Sequence, residues 1–333
     1  MSADGFGPLG ARPAEDIYEL LVPADLRSAL ESDAREGLTA TPKWLPPKYF
    51  YDDRGSELFG EITRLPEYYP TRAEHALLKA HAAEIAATAG NPVLIELGSG
   101  SSEKTRMLLD AMTERELHSY IPIDVSAGAL REAMVGLRRD YPGVDIVGAV
   151  ADFDRHLHLL PAPGARTIAL LGGTIGNYPP EQRSSFLAGL TNAMRPGETF
   201  LLGIDLVKPP ERLVAAYDDS AGITAEFNRN VLRVLNRELG GDFDPADFEH
   251  VAVWDETNEW IEMRLRAKRA LAARLAAIDL VIEFDEGEEM RTEISAKFRR
   301  EQIVPELAKI GLQTEGWWTD GDFALVLTRL EDG

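Results

Sequence analysis

The 333-residue chain contains no cysteine, and that absence removes disulfides, thiolate nucleophiles and cysteine-ligated metals together. It also lacks any apolar run approaching about 18 residues, the length that a membrane-crossing helix needs, and shows no secretory leader pattern. Positive charge is in short supply: 35 Lys and Arg stand against 56 Asp and Glu, for a formal charge of -21. Nucleic-acid binding depends on clustered cations that neutralise phosphates, so DNA, RNA and acidic membranes are poor partners for this chain. The acidic excess suits a cationic substrate and suits plain solubility equally well. The six histidines share no zinc-binding spacing; the closest pair, His156-x-His158, reads as a solvated loop. What remains is a metal-free, cytoplasmic protein, monomeric by default because no heptad or long apolar edge demands a partner. It is large enough for one large core or two modest ones.

What the chain does have is Val93-Leu94-Ile95-Glu96-Leu97-Gly98-Ser99-Gly100-Ser101-Ser102-Glu103-Lys104-Thr105, a buried strand, a glycine turn and a helix start in succession. Such a succession marks the first strand of an open α/β sheet, with a ligand site beyond the strand's carboxyl end. Three ligands compete for the turn. A dinucleotide requires Gly-x-Gly-x-x-Gly and a P-loop requires Gly-x-x-x-x-Gly-Lys-Ser/Thr, and in both patterns the missing glycine is Glu103. A carboxylate in the first helical turn suits the helix dipole but repels a phosphate at the same spot. S-adenosylmethionine has no phosphate and carries a sulfonium and an ammonium. The acid-x-Gly-x-Gly run Glu96-Leu97-Gly98-Ser99-Gly100 suits it, with Ser102 where a third glycine commonly stands. An ordinary strand-to-helix turn is the plainer alternative.

Apolar periodicity and turn residues place helices at 103–113, 127–140 and 180–194 and strands at 119–125, 145–150, 167–171 and 199–206. That alternation specifies a parallel sheet covered by helices on both faces. Residues 210–240 read as helical, while 248–256, 259–268 and 278–284 read as short strands of a separate antiparallel module. The sheet pattern returns with a helix at 297–310 and a hairpin of 312–318 and 323–330. A helix and terminal hairpin after the fifth strand resemble the way class I methyltransferase sheets finish. The predicted fold class is therefore α/β, a Rossmann-like seven-stranded class I sheet at 72–207 plus 297–330 with an inserted α+β substrate-binding domain at 208–296. The proline-rich residues 1–71 are expected to join the insertion as a lid.

Five blocks then occur in order: Lys48-Tyr49-Phe50-Tyr51-Asp52-Asp53-Arg54-Gly55-Ser56-Glu57-Leu58-Phe59, Leu65-Pro66-Glu67-Tyr68-Tyr69-Pro70-Thr71-Arg72, the Glu96 to Gly100 turn, Gly172-Gly173-Thr174-Ile175-Gly176-Asn177, and Gly203-Ile204-Asp205-Leu206-Val207-Lys208. Together they resemble the histidine-specific Nα-methyltransferases of ergothioneine biosynthesis. The resemblance implies transfer of three methyl groups from S-adenosylmethionine to the α-amine of L-histidine, giving Nα,Nα,Nα-trimethylhistidine, known as hercynine. It implies that Gly98 and Lys104 contact the methionine part of the donor, that Asp124 takes the ribose hydroxyls, and that Asp152 and Phe153 hold the adenine. On the substrate side it implies carboxylate binding by Asn177 and Tyr217 and close approach at Gly172. Glu293 and Ser295 would bind the imidazole, with Met263 lining the ring pocket. Tyr51 and Tyr68 are the catalytic candidates that would meet the amine.

The chemistry of these residue types fits those roles. An amide and a phenol donate hydrogen bonds to a carboxylate without adding charge. Glu293 and Ser295 are two apart, so on a strand they would share one face. A carboxyl and a hydroxyl there serve both ring nitrogens, and leaving them unpaired costs about 1–3 kcal/mol each. Plainer readings stand beside these: Lys104 as a solvated helix lysine, Asp124 as a cap, Asp152 and Asn177 as turn residues, Tyr217 and Met263 as core. Glu293 could equally belong to the acidic surface run Glu283 to Glu289, and Tyr49 and Tyr69 read as packing. Competing functions are the same reaction on tryptophan or another aromatic amino acid, an inactive cofactor-binding regulatory protein, and an oxidoreductase, which Glu103 disfavours.

Overall fold

The computed structural model describes residues 16–160 and 164–331. The chain divides into two compact units, one of residues 1–21, 73–206 and 298–333 and the other of residues 22–72 and 207–297.

In the first unit the strands Val93–Leu97, Arg166–Leu170 and Thr199–Asp205 are buried at every position. Strands covered on both faces have no polar side to alternate with, and parallel neighbours need crossover connections, which here are helices. The sheet runs Ile17–Glu19, Gly148–Val150, Ser119–Asp124, Val93–Leu97, Arg166–Leu170, Thr199–Asp205, Phe323–Leu330 and Leu312–Thr319, with Asp145–Ile146 beside Ser119–Asp124. Pairing is parallel up to Thr199–Asp205 and antiparallel through the terminal hairpin. Strand order reverses at Val93–Leu97, whose neighbours continue in opposite directions, and such a reversal opens a crevice at the strand's carboxyl end.

The expected seven strands are all present, with two departures. The strand expected at 145–150 is two pieces, Asp145–Ile146 and Gly148–Val150, in one register against Ser119–Asp124. The gap faces Pro122, which has no N–H to give a ladder. Residues 16–21, expected with the substrate module, belong to the sheet, because Ile17–Glu19 pairs with Gly148–Val150 and covers an edge that would otherwise lie open. Of that expected segment, residues 22–71 fall with the insertion in the second unit, and residues 1–15 lie outside the described residues.

The second unit holds a four-stranded sheet in the order Lys43–Trp44, Glu289–Ala296, Trp260–Ala267, Phe248–Asp255, and a separate hairpin of Leu271–Leu275 with Leu280–Phe284. Leu271–Leu275 and Glu289–Ala296 are strands that the sequence pattern did not disclose. The second was masked by its acidic approach: Gly287, at φ 80°, turns the chain, and Glu289 then pairs with Arg264 and Arg266 on the neighbouring strand. The stretch expected as helix at 210–240 is two helices, Pro210–Tyr217 and Ile223–Leu239, parted at Gly222, whose φ is 73°. Ile223–Leu239 buries Phe227, Val231 and Leu235, a four-residue repeat that keeps one stripe against the core.

One ion pair stands inside the first unit. Arg166 and Glu198 are each 1% exposed, and the guanidinium meets the carboxylate through two hydrogen bonds of 2.7 and 2.6 Å. Removing one partner of a buried pair leaves an uncompensated charge. Glu198→Ala should therefore destabilise this unit by about 3–5 kcal/mol in chemical denaturation; a loss under about 1 kcal/mol would show that water reaches Arg166.

Candidate functional site

Each unit gathers its own share of the candidate residues. In the first, Gly98, Gly100 and Ser102 follow the central strand at φ 71°, 51° and 53°. Glycine takes such angles freely, but a serine pays for them. Ser102 is anchored from below: its hydroxyl lies 3.0 Å from Tyr120 Oη, Tyr120 donates to Glu96 at 2.5 Å, and Thr105 donates to the other Glu96 oxygen at 2.6 Å. All four residues are buried. The acid of the motif is thus spent on holding the turn's shape, and Ser102 supplies an anchor that a third glycine lacks. Burial pushes the Glu96 carboxyl up to about 7, against the pull of the Thr105 and Tyr120 hydroxyls.

Lys104 stands at the start of the helix Thr105–Thr113. It is no freely solvated lysine, for its ammonium pairs with Glu74, a fully buried carboxylate whose Oε1 accepts the Gly172 N–H at 2.6 Å. Gly172 has φ 80°, and a Cβ on it would sit 3.1 Å from Lys104 Nζ. Lys104 and Gly172, 68 residues apart by 172 minus 104, therefore meet at one carboxylate. Glu74 was not singled out in the sequence, because nothing local marks a glutamate on a long helix as the partner of residues 30 and 98 positions away.

Asp124 ends its strand with one carboxylate oxygen accepting the Gly100 N–H and the other accepting the Ser126 N–H, each at 2.8 Å. Burial raises its pKa while these backbone donors pull it down. Each oxygen keeps a further lone pair for a ligand hydroxyl. Asp152 lies at the next strand's exit and caps the short helix Phe153–His156 by accepting the Asp154 N–H at 3.0 Å. Phe153 leans to within 3.7 Å of where a Gly98 Cβ would stand. Asn177 closes the 3-10 turn Thr174–Asn177, which follows the left-handed pair Gly172 and Gly173.

In the second unit, antiparallel register sets Met263 opposite Glu293 and Ile261 opposite Ser295. Cross-strand partners share a face, so Met263, Glu293 and Ser295 stand together. Ser295 Oγ lies 2.7 Å from Tyr217 Oη, and the buried Lys297 donates to both, at 2.8 and 3.0 Å. Tyr217 in turn meets the Tyr68 ring edge to face at 6.2 Å. Tyr68 reaches Tyr51 through Phe59, with centroid distances of 6.1 and 5.5 Å. Tyr49 and Tyr69 are engaged elsewhere, Tyr49 donating to Asp33 at 2.6 Å and Tyr69 accepting from Lys208 at 2.8 Å. Tyr217 is held from behind as well: His250 Nε2 donates to its carbonyl at 2.8 Å, and Asn228 donates to His250 Nδ1.

The Glu293 carboxyl accepts no hydrogen bond from any described residue, and desolvation pushes it up to about 8 although the Lys297 charge pulls it down. It is half-buried on the strand Glu289–Ala296, apart from the acidic surface run. Lys297 is the second residue the sequence did not disclose.

A family model described as histidine-specific methyltransferase, SAM-dependent, matches residues 30–330. Proteins named histidine N-alpha-methyltransferase from Mycolicibacterium smegmatis and Mycobacterium tuberculosis are 56% and 53% identical over 302 residues, covering 90% of this chain and 94% of each relative. A 4-dimethylallyltryptophan N-methyltransferase from Epichloe festucae var. lolii is 28% identical over 308 residues, covering 85% of this chain and 89% of the relative.

The raised Glu96 carboxyl has a measurable consequence. The folded state keeps its proton to about 7, whereas the unfolded chain loses it near 4.5, so this group's contribution to stability declines as pH rises through that window. Glu96→Gln cannot ionise. The melting temperature of the variant relative to the parent should therefore rise between pH 5 and pH 7.5, and a difference independent of pH would mean that Glu96 is not desolvated.

Proposed function

The chain belongs to the SAM-dependent, histidine-specific methyltransferases, and from that premise we propose that it methylates the α-amine of L-histidine three times, forming hercynine for ergothioneine biosynthesis. The observation that carries the reading is the shared face of Met263, Glu293 and Ser295 with Tyr217 and Lys297 at its end. It offers an unpaired carboxyl and a hydroxyl two residues apart, the complement of a ring with two nitrogens.

In this reading the first unit holds the donor and the second the acceptor. S-adenosylmethionine supplies, when bound, an electrophilic methyl on a sulfonium whose departure leaves a neutral thioether. The first unit's residues fit it: the turn at Gly98 offers backbone close to a ligand, Asp124 keeps lone pairs for ribose hydroxyls, and Asp152 and Phe153 offer a carboxylate and an aromatic face to adenine. The Lys104 charge is balanced by Glu74, which suits a methionine tail better than a bare phosphate. Asn177 and Tyr217 take the histidine carboxylate, and Gly172 leaves room beside it.

The attacking amine must be neutral, with its lone pair aimed along the sulfur–methyl bond. Orienting the amine supplies much of the acceleration. Tyr51 and Tyr68 do this work by contact with the amine, and the same aromatic faces tolerate the growing positive charge of the product by cation–π attraction of about 0.5–2 kcal/mol each. Each methylation removes a donor N–H from the amine, so contacts that hold carboxylate and ring must keep the substrate in register through all three rounds.

Incubation with S-adenosylmethionine and single amino acids, read by mass spectrometry, should show up to three added methyl groups on histidine and none on tryptophan; tryptophan methylation in preference would replace the reading with its aromatic-substrate rival. Glu293→Leu should weaken histidine binding about 5- to 150-fold, the equivalent of about 1–3 kcal/mol, and admit tryptophan more readily. Unchanged histidine affinity in calorimetry would reject the imidazole assignment.

A further inference from the structure

We propose that Glu74 is a positioning residue of the transfer reaction: its carboxylate holds the lysine assigned to the methyl donor and the glycine loop assigned to the acceptor at one fixed spacing, and Gly203 is the opening that admits it. The inference rests on the donor and histidine roles proposed above and adds two residues that have no role there.

Glu74 stands on the helix Tyr69–Ala89 and is 0% exposed. Its two oxygens serve different partners: Oε2 pairs with the Lys104 ammonium, and Oε1 accepts the Gly172 N–H at 2.6 Å. Lys104 keeps 28% of its side chain exposed. An ammonium has three N–H donors, so pairing with Glu74 leaves it able to meet a ligand carboxylate as well. Gly172, at φ 80°, is held so near the lysine that a Cβ on it would stand 3.1 Å from Lys104 Nζ. Beyond Gly172 the loop is knit to itself, with the Thr174 hydroxyl donating to Leu171 O at 3.0 Å and the Gly176 N–H to Gly173 O at 2.9 Å, as far as Asn177. A displacement of Gly172 therefore carries Asn177 with it.

Gly203 is an independent observation that points to the same carboxylate. It lies within the strand Thr199–Asp205, opposite Leu325, and its φ is outside the left-handed region, so the backbone itself asks for no glycine there. Glu74 asks for it: a Cβ at position 203 would come within 2.3 Å of Glu74 Oε1, against 3.3 Å from Phe323 Cε1 and 3.4 Å from Leu171 Cα. The strand is buried at every position and paired on both sides, so the carboxylate is the group that must yield. The last of the five sequence blocks thus begins with a residue whose lack of a side chain makes room for Glu74.

Displacement at a sulfonium methyl makes this spacing matter. Reacting atoms must approach to about 3–3.5 Å in line, and a misplacement of about 1 Å costs on the order of 100-fold. Lys104 and Gly172 hang on one buried group, so donor and acceptor sides cannot drift apart separately. A carboxylate is the group that does both tasks, since it accepts the N–H through one oxygen and balances the ammonium through the other. An amide can do only the first, and aspartate is one methylene short of both.

The test uses the full chain at saturating S-adenosylmethionine and histidine, with kcat expressed per donor-binding site counted by calorimetry with S-adenosylhomocysteine. A role confined to folding removes sites and leaves turnover per remaining site unchanged. Glu74→Ala should lower kcat per site about tenfold or more. Glu74→Gln, which keeps the acceptor for Gly172, should recover part of the loss. Gly203→Ala should reproduce the Glu74→Ala loss in the parent and cost less than twofold more in the Glu74→Ala background, because the residue it displaces is then gone. Parental turnover per site in Glu74→Ala overturns the proposal, as do fully additive losses in the double variant. Should the Ala variants bind no donor, Glu74→Gln decides: a loss of threefold or more in kcat per site supports the proposal, and parental turnover overturns it. Methylation of tryptophan in place of histidine by the parent overturns the histidine reading alone, and the same comparison run on tryptophan then decides for Glu74.

Discussion

A carboxylate taken out of water must be paired, hydrogen-bonded or protonated, and this constraint shapes the chain wherever it matters. Glu198 meets Arg166 and ties two sheet strands to the loop between them. Glu74 is shared by an ammonium and a backbone N–H. Glu96 is wrapped by two hydroxyls beneath a turn. Glu293 alone among these four has no hydrogen-bond partner within the described residues, and its raised pKa is the cost of that isolation. The first three are solved problems of folding. The fourth has no such partner among the described residues.

The same constraint divides the labour between the units. In the sheet unit, acids are used to fix backbone: Glu96 and Asp124 shape the turn after the central strand, Asp152 caps a one-turn helix, and Glu74 draws the Gly172 loop to Lys104. Backbone fixed in this way holds the turn and the strand ends in place. In the second unit, hydroxyls and rings do the presenting, and charge is kept behind them. Lys297 lies beneath Ser295 and Tyr217, and His250 and Asn228 hold the Tyr217 backbone.

Much of the candidate site was legible from local pattern together with family resemblance. The succession of strand, glycine and helix at Val93 to Thr105 located the turn, and acids at successive strand ends located Asp124 and Asp152, because parallel strands put their carboxyl ends on one edge. Glu293 and Ser295 share a face because the strand period is two. Met263 as their neighbour came from the resemblance, and its physical basis is the register with Trp260–Ala267. Glu74 and Lys297 escaped both routes. Each is an ordinary surface type in the sequence, and each matters because partners distant in the chain converge on it.

Sequence by itself determined the elements of the large sheet and their order: apolar runs alternating with helical periods mark strands covered on both faces, Gly98 and Gly100 can take the left-handed angles that the turn uses, and a proline at position 122 forbids an unbroken ladder opposite it. These are properties of one residue and its immediate neighbours. Tertiary structure decided which polar groups are desolvated and which partners they find. Lys104 pairs with Glu74, Ser102 is anchored on Tyr120, Glu293 is desolvated, and the Ser295 and Tyr217 hydroxyls accept from Lys297, each through residues that adjoin only after folding. Local conformation follows from covalent geometry and is written in order along the chain, whereas electrostatic character depends on distance through space and on the exclusion of water, which no linear neighbourhood contains.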